Sequence, residues 1–365
     1  MLVLHVGPHK TATTYLQSNF KQQRAELRRK GWLYPVIGVR TALAHHEVVE
    51  HAEEVAARDG PVFASLTAAA RRAQRDGLDV LLSAEGFRTW KPKQVRALND
   101  IFGSGPLRIV YVLRDPMTVI RSMWAQSIKL GGADALPDYL ALHLRRGERS
   151  RLLNPLRDLA PHLRRDRAEF TILLYDEIER RKLDIYATFA AEALGLPDAR
   201  PIGGVANPRH SLEMTEFLRL LTTTGAYSGV DRPADVGDIV RLLFSPEERA
   251  EIERTIREHG APALRTIGIA RDTAFYEELE TRLREAAEPH FRPRPAGGRL
   301  FGSAPETWSH YDAAELMRIP EIAALVTRAA ARLKPGGLRV GLVNASLRAV
   351  MAGRKLRNIV ATRSS

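Results

Sequence analysis

The chain has 365 residues, of which 44% are hydrophobic, none is Cys, and Lys and Arg exceed Asp and Glu by 55 to 43, a formal net charge of +12. That length supports one large domain with an appendage, or two domains. The missing Cys excludes disulfides, thiol catalysis and Cys-ligated zinc, and the surplus charge draws anionic partners without naming one.

In chain order, the apolar run Leu2 to Val6 predicts a strand over 2–7. It leads into Gly7-Pro8-His9-Lys10-Thr11-Ala12-Thr13-Thr14, a tight turn followed by a helix expected over 12–30. Backbone N–H groups at such a strand-to-helix junction point at an anion, and the helix dipole favours negative charge there. Lys10 adds a full charge; Thr11, Thr13 and Thr14 add hydroxyl donors. The ATP/GTP loop G-x-x-x-x-G-K-[ST] does not fit, because His9 precedes Lys10 and Gly7 lies only three residues before it. Ala tolerates a left-handed backbone poorly, so residue 12 is expected to be right-handed.

An irregular and helical stretch over 40–77 carries His45 and His46. A strand over 79–83 ends at Ser83-Ala84-Glu85, and a helix follows over 91–103. Residues 107–113 read as a buried strand of β-branched and aromatic residues. It closes on Arg114-Asp115-Pro116, with a helix over 117–130 that carries Ser122. Helices are expected over 134–147 and 150–164, a strand over 169–175, and a helix over 181–195. Asn207-Pro208-Arg209-His210-Ser211 forms a turn before a helix over 212–221, with Ser211 suited to an N-cap. Residues 246–290 are strongly charged and read as helical. Residues 292–305, rich in Pro, Gly and Arg, read as a linker. Alternating strands and helices predict an α/β fold with a mostly parallel sheet flanked by helices.

The loop at residues 7–14 resembles the phosphosulfate loop of sulfotransferases that use 3′-phosphoadenosine 5′-phosphosulfate (PAPS), with Ala12 where Gly is usual. The strand–R-D-P–helix unit is similar to that family's second nucleotide motif, and Arg114 and Ser122 have its spacing. The resemblance is to the bacterial, carbohydrate-type branch and covers roughly residues 1–290. It implies a P-loop-type core, with Pro8 to Thr14 around the 5′-phosphosulfate and Arg114 and Ser122 on the 3′-phosphate. Asn207 and Arg209 are further candidates for nucleotide contact. The family's late R-K-G-x-x-G segment is not found; Arg294, Arg299 and the Gly297-Gly298 pair do not replace it. The implied reaction is transfer of a sulfuryl group from PAPS to a hydroxyl or amine of a carbohydrate or glycolipid. Lys10 would neutralise the leaving phosphate, and Glu85 is the first candidate for general base, with His45 and His46 competing. Lys10, Arg114 and backbone N–H groups can neutralise the donor, so no metal is required. The rival readings are a P-loop-type nucleotide kinase and a sulfotransferase-like protein that binds nucleotide without turnover.

Beyond residue 305 a basic helical extension, 306–365, is expected. No acidic residue follows Glu321, while Arg328, Arg332, Lys334, Arg339, Arg348, Arg354, Lys355, Arg357 and Arg363 do. With Leu347, Val350, Met351, Ile359 and Val360 this could form a basic amphipathic helix on an anionic membrane face. Packing on its own domain or on a second copy is the favoured reading of this stretch. Nucleic acid has no recognisable reading motif here. With no basic n-region before the first strand and no apolar run near the ~18 residues of a membrane span, a cytoplasmic location is expected, with a peripheral place at the inner membrane face as the option that a lipid-bound tail would add.

Overall fold

The structure, a computed structural model, describes residues 1–37, 43–163, 168–203, 210–226, 236–295, 299–302 and 304–333. Eight strands are defined among them: β1 (Leu2–His5), β2 (Trp32–Leu33), β3 (Asp79–Ser83), β4 (Leu107–Leu113), β5 (Ala168–Leu174), β6 (Leu264–Ile269), β7 (Phe291–Arg292) and β8 (Glu306–Tyr311). Six form one sheet in the order β2-β3-β1-β4-β5-β7, and every pairing in it is parallel. The expected α/β class is what the chain adopts.

Period-2 alternation explains the layering. In β1, Leu2 and Leu4 enter one apolar cluster while Val3 enters the other. In β4, Ile109, Tyr111 and Leu113 face the first cluster, and Val110 and Val112 the second. Both faces are therefore covered. Leu16 and Phe20 of the helix Thr13–Gln22 and Tyr186 and Phe189 of the helix Ile185–Leu194 close one side. Leu66 of the helix Pro61–Asp76, Leu98 of Pro92–Ile101 and Ile120 of Pro116–Lys129 lie on the other. No helix among the described residues is long and apolar enough to cross a membrane.

Several boundaries differ from the sequence reading. β1 stops at His5, because Gly7 at φ 88 leaves the extended region, although the Gly7 carbonyl still accepts from Val112 N at 3.0 Å. The helix expected over 12–30 is two, Thr13–Gln22 and Arg24–Arg29, broken at Gln23. The helix expected over 181–195 begins at Ile185, where Asp184 caps it by accepting from Ala187 N at 2.9 Å. The stretch 246–290 is not helical throughout: β6 interrupts it, with β-branched Thr266, Ile267 and Ile269 in a run that its charged flanks concealed.

β8 lies beyond the 292–305 segment and pairs antiparallel with β6, Ile267 opposite Trp308. Trp308, together with Leu316 and Val326 of the following helices Ala313–Arg318 and Pro320–Arg332, belongs to the same apolar cluster as Leu4 and Ile109. The described part of 306–365 thus contains a strand as well as helices, where helix alone was expected. Residues 334–365, with most of the basic tail, lie outside the described residues.

Candidate functional site

β1 has β3 on one side and β4 on the other, so the chain leaves it first toward one edge and later toward the opposite edge. In open parallel sheets the crevice at such a switch point, outside the carboxyl ends of the strands, is where ligands bind. The segments that follow β1, β3, β4 and β5 meet there. They carry Lys10, Glu85, Arg114 and Tyr175, respectively.

The loop after β1 is shaped by positive φ angles. Gly7 stands at φ 88, Lys10 at φ 67 and Ala12 at φ 59, ψ 22. Ala12 is therefore left-handed, against the expectation of a right-handed residue. It is the residue before the helix, and its carbonyl already accepts from Leu16 N at 3.0 Å. Such backbone reversals turn successive N–H groups toward a common concavity, an arrangement suited to anions. Thr11 is fully buried and donates its hydroxyl to the Pro8 carbonyl at 2.7 Å, which closes the loop on itself. Thr11 therefore shapes the cradle. Thr14 is exposed at the helix start. A Cβ at Gly7 would come within 2.9 Å of Cα and Cβ of Glu85, so a side chain there would push the loop off the end of β3.

Arg114 links the first loop to the fourth strand. Its Nη1 donates to the Lys10 carbonyl at 2.7 Å, and its guanidinium lies 4.4 Å from the Tyr175 ring centroid. Its Nε is buried without a partner. The ion pair with Asp115 that a lone surface Arg would suggest is not formed; Asp115 pairs with Arg271 instead. Lys10 Nζ donates to Gln126 Oε1 at 2.8 Å. Gln126 lies one helical turn beyond Ser122 and two beyond Thr118, so the three share one face of the helix Pro116–Lys129. Ser122 is half-buried between the Lys10 contact and Thr118, whose hydroxyl is 3.5 Å from Arg271 Nη2.

Asp115 caps that helix by accepting from Thr118 N at 2.9 Å. The Tyr276 hydroxyl lies 3.2 Å from the same carboxylate, and buried Arg271 also reaches Glu306 at 3.0 Å. Asp176 accepts from Asp115 N at 2.8 Å. Burial pushes the Asp176 carboxyl up to about 7, with nearby Arg114 opposing.

Glu85 opens the 3-10 turn Glu85–Thr89 and is buried. Burial disfavours its charge, but a hydrogen bond from Thr13, its own backbone N–H, and His9 and His46 outweigh that and hold the carboxyl below its usual range. Gln17 Nε2 lies 3.3 Å from Ser83 Oγ and 3.5 Å from Glu85 Oε2. Ser83 Oγ also meets His5 Nδ1 at 2.8 Å, and burial pushes the His5 imidazole down to about 4.

The two candidate histidines part company. His45 is buried, its Nδ1 accepting from Ser83 N at 2.9 Å and its Nε2 meeting the Pro35 carbonyl at 3.0 Å. Both ring nitrogens are occupied by backbone, and burial lowers the ring to about 4; His45 holds the chain against β3. His46 reaches Glu85 instead, Nε2 to Oε2 at 3.7 Å. His9, expected only as part of the cradle, flanks the other oxygen, Nδ1 to Oε1 at 3.7 Å. The remaining candidates Asn207 and Arg209 lie outside the described residues.

The sequence reading missed Gln126, Tyr175, Gln17 and the Arg271–Tyr276 pair. Only Gln126 carried a local signal, its helical spacing from Ser122. No protein-family model matches the chain, and no curated protein or solved structure does so.

Proposed function

We propose that the chain is a PAPS-dependent sulfotransferase built on a P-loop-type core, acting on a hydroxyl or amine of a carbohydrate or glycolipid. The observation that carries this reading is Arg114: a buried guanidinium tied to the Lys10 carbonyl, stacked on Tyr175, with its Nε unpartnered. A buried donor without an acceptor costs about 1–3 kcal/mol, and a phosphate would relieve that cost in the fork geometry guanidinium favours.

In this reading the 5′-phosphosulfate occupies the concavity of residues 8–14, and the 3′-phosphate lies between Arg114 and Ser122. The acceptor attacks sulfur in line with the departing phosphate oxygen. Lys10 meets the charge that develops on that oxygen, a preorganised electrostatic contribution. The proton of the acceptor leaves at the cluster of Glu85, His9 and His46.

Calorimetry with 3′-phosphoadenosine 5′-phosphate (PAP), ADP and ATP–magnesium tests the assignment. Micromolar PAP binding that depends on the 3′-phosphate and is lost in Arg114→Ala is the expected result. Indifference to the 3′-phosphate, or tighter ATP–magnesium binding, would overturn it in favour of a kinase.

A further inference from the structure

The mouth of the site holds more proton-handling groups than one base requires. Glu85 offers one oxygen to each of two imidazoles, at 3.7 Å in both cases. These spacings exceed hydrogen-bond length, as catalytic contacts without substrate often do. The carboxylate side chain is 7% exposed, the His9 and His46 side chains 47% and 45%. The buried group is also the one whose charge is already satisfied, by Thr13, its own N–H and Gln17. A carboxylate stabilised in this way has little driving force to take a proton from a hydroxyl, whereas a neutral imidazole is well matched to that task near pH 7.

The rings differ in the nitrogen they turn to Glu85. His46 turns Nε2, which leaves Nδ1, the nitrogen beside its own backbone. His9 turns Nδ1, which leaves the outer Nε2 with its lone pair. His9 also directly precedes Lys10 in the anion loop. Burial lowers the His9 imidazole; Glu85 opposes this, and Arg88, His46 and Lys10 add to it. The net effect is downward from the ordinary imidazole value, which favours the neutral ring that a general base needs.

We infer that His9 is the general base of the transfer and that Glu85 is the carboxylate that positions it, an assignment resting on the sulfuryl-transfer reading above. The acceptor proton moves to His9 Nε2 as the acceptor lone pair bonds to sulfur. The bond from sulfur to the 5′-phosphate oxygen breaks, its electron pair leaves with PAP, and the imidazolium returns the proton to water. Glu85 fixes the Nδ1–H tautomer and supports the imidazolium, the division of labour of a carboxylate–imidazole pair. Gln17 reaches the carboxylate, and Ser83, itself bonded to His5, holds Gln17.

Two measurements on the full chain test this. The first is nitrogen-15 NMR of the imidazoles across pH, with His9 assigned from His9→Gln. His9 should be the Nδ1–H tautomer, titrate below the ordinary value of about 6.5, and titrate lower still in Glu85→Gln, where the supporting charge is gone. An Nε2–H tautomer, or indifference to Glu85→Gln, overturns the pairing. The second is release of PAP from PAPS with water as acceptor, followed by chromatography. His9→Gln should lose about 10²–10⁴-fold in rate with a much smaller change in PAP affinity, and added imidazole should restore part of the rate of His9→Ala. A His9→Gln rate within threefold of the parent, no rescue, or a parent chain that binds PAP but never exceeds the buffer rate overturns the base assignment. Failure to bind PAP at all would instead overturn the donor assignment.

Discussion

Arg114→Lys would separate the proposed recognition of the 3′-phosphate from support of the loop. The substitution keeps the charge but removes the fork. Arg114 Nη1 is committed to the Lys10 carbonyl, whereas Nε is buried and unpartnered. A phosphate reaching Nε gains a charge-assisted bond of about 1.5–3 kcal/mol that a lysine spending its single head group on the Lys10 carbonyl cannot supply. PAP affinity should therefore fall roughly 10- to 150-fold. Loss of the loop bond itself is worth about 0.5–1.5 kcal/mol, and it acts on any ligand of the loop. Adenosine 5′-phosphate measures that shared part, so the ratio of the two affinities, by calorimetry in parent and variant, isolates the 3′-phosphate contribution. Equal losses for the two nucleotides, or none for PAP, would refute the reasoning.

Lys10→Ala should slow PAP release from PAPS by about 10²–10³-fold with a much smaller change in PAP affinity, read by comparing rate and calorimetry; equal losses in both would make Lys10 a binding residue only. Ala12→Gly should leave the melting temperature unchanged or raised, because relief of a left-handed alanine, about 1–2 kcal/mol, offsets the usual ~0.5–1 kcal/mol cost of glycine; a clear drop would contradict the φ 59 backbone. Asp176 binds its proton more tightly folded than unfolded, so its contribution is complete below about pH 3.9 and is lost as pH rises through about 7. Asp176→Asn should accordingly flatten the fall in urea stability between pH 5 and pH 8; an unchanged slope would show that the carboxyl titrates normally.

The two strand-to-helix junctions after β1 and β4 were legible because their information is local: an apolar run, a turn, and a charge at a set offset. The bonds that join them were not, since Arg114 and the Lys10 carbonyl are separated by more than one hundred positions and nothing nearby encodes the pairing. Ala12 ran against its own backbone preference, because the surrounding loop, closed by Thr11 and Arg114, imposes the turn. His45 and His46 are neighbours of identical chemistry, and only the packing of Tyr34 and Ser83 around the first decides which is free to reach Glu85. β6 was hidden by its flanks: Leu264–Ile269 carries one charged residue, Arg265, but sits between the strongly charged helices Pro246–His259 and Ala274–Ala287.

The clamp on Asp115 has a consequence for the far end of the chain. The carboxylate that starts the Ser122 helix is gripped by Arg271 and Tyr276, and Arg271 also reaches Glu306 on β8. Asp115 and Arg271 thereby join the crevice at the carboxyl ends of the sheet to the β6–β8 ribbon through one continuous set of polar contacts. A version of the protein shortened at residue 305 would strip Arg271 of one of its two carboxylates, leave Ile267 without its cross-strand neighbour Trp308, and take from Arg121 the ring it lies over.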